Sequence, residues 1–276
     1  ADTIGAVDSP DAPTPCTCRA GVRFLQHSQD SQRKIAELVG LLLSSPERPD
    51  ERPDTATILS VQVDCRNETG QRVVGYHDSA GVFLPDAPLA IIAPGYGETK
   101  MEYTTLSYYF ARNGFHVLRY DHTNHVGESD GDMRDTTLSD MNQDLGAILD
   151  YAKRTWPASP IAVIAANLAG RVAFKRISWD HRVDLLILLT GIVDVQATLL
   201  AVHQEDLILV FLRGVRRYPL NVLGFNVDAD RFLGDAIKGS YFDLLTTVQD
   251  AKKIRTPVIF LAAEHDAWIQ LEAVEE

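Results

Sequence analysis

A chain of 276 residues, 45% of them apolar, is long enough for one α/β domain with a leading segment and a large core. Its 26 basic and 38 acidic residues leave a net charge of −12, which argues against nucleic acid and anionic membrane as partners. The apolar run Val183–Val193 is too short to span a bilayer and is interrupted by Asp184, Thr190 and Gly191.

Residues 1–19 are rich in Pro, Asp, Ala and Thr and read as irregular. They lack the basic end and apolar stretch of a secretory leader, so a cytoplasmic protein is expected. Three cysteines do not make a disulfide framework, and Cys16 and Cys18 stand too close together for a metal or redox pair. No cofactor or metal is expected. Ser31–Leu43 reads as a helix with Ile35, Leu38, Val39 and Leu42 on one face. The duplicated Glu47–Asp50 and Glu51–Asp54, each reading Glu-Arg-Pro-Asp, form an extended linker. The spacing therefore places an N-terminal extension at 1–56 and the main domain at 57–276.

Within the main domain, Thr57–Cys65 and Arg72–His77 alternate like strands joined by a turn at Asn67–Gly70. The continuous apolar runs Leu89–Ala93, Phe115–Tyr120, Ile161–Ala166, Val183–Leu189 and Pro257–Ala263 are typical of strands buried on both faces. Between them lie helical patterns at Tyr103–Asn113, Leu138–Arg154 and Leu168–Ile177. Alternating strands and helices predict an α/β fold with a mostly parallel sheet, and ligands bind at the carboxyl ends of such strands. Residues 194–250, mixed and strongly apolar, form an insertion between two core strands.

Four stretches resemble the acyl-carrier-protein thioesterase/acyltransferase family of bacterial bioluminescence: Asn113–Asp121, His125–Ser129, Ile164–Phe174 and Ala263–Trp268. The resemblance runs from about Thr57 onward. It implies the α/β-hydrolase fold with a helical lid at 194–250, and release of fatty acids from thioesters through a Ser–Asp–His triad. By the same resemblance, Asp266 is the acid that orients the histidine. Tyr96 and Leu168 supply the backbone N–H groups of an oxyanion hole. Leu199, Leu200 and Phe211 are candidates to line an acyl cavity.

The sequence departs from the family at two points. The nucleophile-elbow position holds Asn167, whose carboxamide has no acidic proton for a base to remove. All eight histidines precede Asp266, and only ten residues follow it. The expected final strand is then missing, which leaves a sheet edge for a protein partner to cover. These departures point to a degenerate member that acts as an acyl- or partner-binding accessory domain, and two alternatives remain open. One is a truncated or inactivated form of an active serine thioesterase. The other is a non-hydrolytic cyclase, decarboxylase or lyase in which His125 or His122 moves a proton. The expected partner is an acyl or polyketide chain, carried on an acyl carrier protein if Arg213, Arg216 and Arg217 form a basic patch for it.

Overall fold

The computed structural model describes residues 20–24, 57–81, 87–263 and 273–274. The helix expected at 31–43, the duplicated linker and Asp266 lie outside them. The strands are β1 (Ala20–Phe24), β2 (Leu59–Arg66), β3 (Arg72–Ser79), β4 (Leu89–Ala93), β5 (His116–Tyr120), β6 (Ile161–Ala166), β7 (Leu185–Leu189) and β10 (Val258–Ala263). They form one sheet in the order β1-β10-β7-β6-β4-β5-β3-β2. The five strands from β10 to β5 are parallel, while β3 and β2 at one side and β1 at the other are antiparallel.

The parallel strands are apolar throughout because both their faces are covered. Ile91, Val163 and Leu186 point into the larger core, beneath α2 (Leu138–Thr155) and α3 (Asn167–Ile177). Ala90, Ile92, Ala162 and Ile164 point to the opposite face, where Phe110 and Ala111 of α1 (Thr104–Arg112) meet them. This division follows the period-two alternation of a strand. Helix α2 starts where the Thr137 side chain accepts a hydrogen bond from Asp140 N–H at 3.0 Å. It buries Met141, Leu145, Ile148 and Leu149 along one stripe.

The insertion between β7 and β10 carries α4 (Val195–His203), α5 (Leu207–Leu212), the hairpin β8 (Leu220–Val222) with β9 (Phe225–Val227), α6 (Ala229–Lys238) and α7 (Leu244–Ala251). It is helical as expected, with one short hairpin. The sheet border beyond β10, expected to stand open, instead carries β1 of the same chain, with Ala20 opposite Ala263 and Phe24 opposite Ile259. No helix among the described residues is long and apolar enough to cross a membrane.

Register positions the site. Ala93 pairs with Ala165, so the loops leaving β4 and β6 emerge side by side at the carboxyl edge. Chain order reverses here, since β5 lies on one side of β4 and β6 on the other.

Candidate active site

Strand β6 ends at Ala166 and helix α3 begins at once with Asn167, whose φ of +36° marks a sharp elbow. Such an angle is costly for most side chains, and Asn is among the few that tolerate it. The elbow is pinned on its far side by Ile192 N–H, which donates to the Asn167 carbonyl at 2.9 Å. A side chain at Gly170 would put Cβ 2.8 Å from Gly191 Cα, so the missing side chain lets α3 sit against the turn after β7.

The predicted hole donors converge. Tyr96 N–H and Leu168 N–H both donate to Asn167 Oδ1, at 2.9 Å and 2.6 Å. The carboxamide therefore occupies the position at which the two N–H groups would meet a substrate oxygen. The first turn of α3 adds the favourable end of its dipole to the same point. Gly95 makes room for this arrangement, because a Cβ there would fall 2.1 Å from Asn167 Nδ2.

A residue missed in the sequence completes the group. Glu98 Oε2 accepts from Gly95 N–H at 2.8 Å and from the Tyr103 hydroxyl. Its Oε1 lies 3.5 Å from Asn167 Nδ2. The signal was a carboxylate directly after Pro94-Gly95-Tyr96-Gly97, in a loop that otherwise offers only backbone donors.

His125 sits against the loop after β4. Its Nε2 accepts from Gly97 N–H at 3.0 Å, and its ring lies edge-on to Tyr96 at 5.4 Å between centroids. Burial, and then the neighbouring His122, push its pKa down to about 3. By its bond to Gly97 N–H the ring helps to hold the loop after β4. His122 is buried as well, with Nδ1 3.5 Å from Asp144 Oδ2.

Lys100 anchors the same loop. Its ammonium, almost wholly buried, contacts Asp121 Oδ2 and lies 2.6 Å from Glu128 Oε2. Burial alone would lower its pKa, but hydrogen bonds to these two carboxylates outweigh it and hold the group above its ordinary value. Asp121 also accepts from Lys100 N–H at 2.7 Å and from Glu128 N–H at 2.8 Å.

The insertion meets the site through Tyr96. Its ring packs edge-on against Phe225 and Phe232, both at 5.7 Å. The three candidates for an acyl cavity separate. Leu199 is buried in the core, Phe211 is half-buried with the Arg216 guanidinium 3.8 Å above its ring, and Leu200 faces solvent at 46% exposure. Helix α4 is apolar nearly all round, and periodicity cannot choose its inner face. Arg216 and Arg217 are ion-paired with Asp230 and Glu205, which reduces the basic patch expected at 213–217.

A pH dependence follows from two histidines. His77 lies 3.0 Å from His116, and burial followed by that neighbour lowers its pKa to about 4. Both His77 and His125 fall below the unfolded value of 6.5, so the unfolded chain takes up protons that the folded chain refuses. Their contribution is complete above about pH 6.5. It declines as pH falls and levels off only near pH 4 for His77 and pH 3 for His125. Urea midpoints should fall from pH 7 to pH 5. His125→Gln should flatten the slope by up to about 1.4 kcal/mol per pH unit, the value for one proton. An unchanged slope in that variant contradicts the assignment.

Comparisons with known proteins bear on the family and the fold. The acyl transferase of Photobacterium phosphoreum is 28% identical over 186 residues, covering 67% of this chain and 60% of that protein. That of Aliivibrio fischeri strain MJ11 is 28% identical over 224 residues, covering 81% of this chain and 72% of that protein. The chain spans about 60% of the length of the first of these relatives. Among solved structures, an esterase of Pyrococcus furiosus superposes with a TM-score of 0.58 at 16% identity, covering 83% of this chain and 79% of that one. Est1E of Butyrivibrio proteoclasticus, solved with ferulic acid bound, gives a TM-score of 0.54 at 19% identity, covering 78% and 95%. At such identities they speak for the fold alone, which is that of the α/β hydrolases. The family model described as acyl transferase matches residues 86–276, most of the chain, and the chain therefore belongs to that acyl transferase family.

Proposed function

We propose that this chain binds and positions an acyl chain without forming an acyl-enzyme. One observation carries the reading: the Asn167 carboxamide fills the hole made by Tyr96 N–H and Leu168 N–H. Its nitrogen lone pair is delocalised and it has no proton that a base could remove near neutral pH, so it cannot replace a serine in attacking a carbonyl. The carboxamide also competes with any substrate oxygen for the two donors. The acyl group, fatty or polyketide and free or on a carrier protein, lies between the hole loop and the insertion. Tyr96, Phe225 and Phe232 meet there, and the domain acts as an accessory one.

The test pairs binding with turnover. Affinity for a series of saturated fatty acids should rise with length, each buried methylene adding about 0.8 kcal/mol. Nitrophenyl esters and acyl thioesters should remain intact, and intact-protein mass spectrometry should find no acyl adduct. Hydrolysis well above background, or an acyl mass added at the elbow, rejects the proposal.

A second reading, an active serine thioesterase carrying an inactivating change, is favoured by how fully the elbow geometry is kept. Asn167→Ser treated with a fluorophosphonate separates the two. Labelling of that variant supports the second reading and counts against the first.

A further inference from the structure

We infer that Asn167 and Glu98 together read the syn donor–acceptor edge of a primary carboxamide, so that the head group favoured at the elbow is an acyl amide rather than an ester. The inference rests on the acyl-binding reading above and specifies its ligand.

The orientation of the Asn167 side chain is fixed by its partners. Two backbone N–H groups face Oδ1, and turning the amide over would set N–H against N–H. Nδ2 must therefore lie on the Glu98 side, and both residues are half-buried, within reach of a ligand. Glu98 Oε2 is occupied by Gly95 N–H and the Tyr103 hydroxyl. Among the described residues, Oε1 has only the long 3.5 Å contact with Nδ2, which leaves it lone pairs to offer. Nδ2 carries two hydrogens, and that contact uses one of them. A donor and an acceptor thus stand side by side with hydrogen-bonding capacity left over.

The ligand must offer the complement on one edge: an acceptor for Nδ2–H and a donor for Oε1. A primary carboxamide does so, with its carbonyl oxygen and one N–H on the same side. A trans secondary amide points these groups in opposite directions. An ester or thioester has no donor, and its oxygens would face the Glu98 carboxylate. A free carboxylate would meet like charge. Sites built to bond an N–H discriminate strongly against analogues that lack it.

The experiment compares octanamide, methyl octanoate and octanoate by titration calorimetry on the whole chain at pH 7. Octanamide should bind at least tenfold more tightly than the ester, and octanoate more weakly than octanamide. Glu98→Gln replaces the acceptor with a donor, and should abolish the preference for the amide over the ester, read as the ratio of the two affinities within that variant. The same pattern should appear in Glu98→Ala, whose fold is checked by circular dichroism. Equal binding of amide and ester overturns this inference and leaves acyl binding standing. A preference that survives both substitutions also overturns it. Failure of all three ligands to bind rejects it together with the acyl-binding reading.

Discussion

Lys100→Met should lower the unfolding free energy by about 3–5 kcal/mol, the usual result of leaving a buried charge without its partner. The ammonium is sealed from solvent against a fully buried Asp121, so water cannot replace it. The two backbone N–H bonds to Asp121 remain and compensate only in part. Urea unfolding at pH 7 measures the loss. The double variant Lys100→Met with Asp121→Asn should lose clearly less than the sum of the two single changes, because it no longer strands a charge. Additive losses would mean that the pair does not act as a unit. The result bears on function, since Lys100 ties the loop after β4, which carries Tyr96, to the loop after β5, which carries His125.

Asn167→Ala should cost about 2–3 kcal/mol. Roughly 1–2 kcal/mol of this is the loss of two hydrogen bonds to Tyr96 and Leu168 N–H, softened by water entering the half-open hole. The remainder is the positive φ of 36°, which Ala tolerates less well than Asn. Asn167→Gly loses the same hydrogen bonds without the backbone penalty, so it should be about 1 kcal/mol more stable than the Ala variant. Chemical denaturation of the three proteins side by side decides this. If Gly and Ala are equal, the elbow is not strained. If neither differs from the parent, the carboxamide does not occupy the hole in solution.

The strands at the centre were legible because nothing polar interrupts them. Leu89–Ala93 and Ile161–Ala166 were located end for end, while the elbow at Asn167 and its two N–H donors were implied by the family resemblance. What sequence could not give was the side-chain arrangement. That Asn167 Oδ1 turns into the hole depends on its rotamer and on the missing Cβ of Gly95. Lys100 reads as a solvated surface lysine until Asp121 and Glu128, distant in the chain, converge on it. Leu199 and Leu200 are neighbours of like chemistry, and only the packing of α4 sends one inward and the other to water. Strand β1 went unnoticed because five residues reading Ala-Gly-Val-Arg-Phe show neither a clear alternation nor a long apolar run.

The pairing of Ala20–Phe24 with β10 also constrains the order of assembly. During synthesis the first of these strands leaves the ribosome long before its mate exists. It must wait, unpaired, until the stretch ending at Ala263 has been made. Closing so long a loop carries a large entropic penalty, which is recovered only when the last ladder forms. The border strand should therefore add late in folding, and its amides should exchange with solvent sooner than those of the parallel centre.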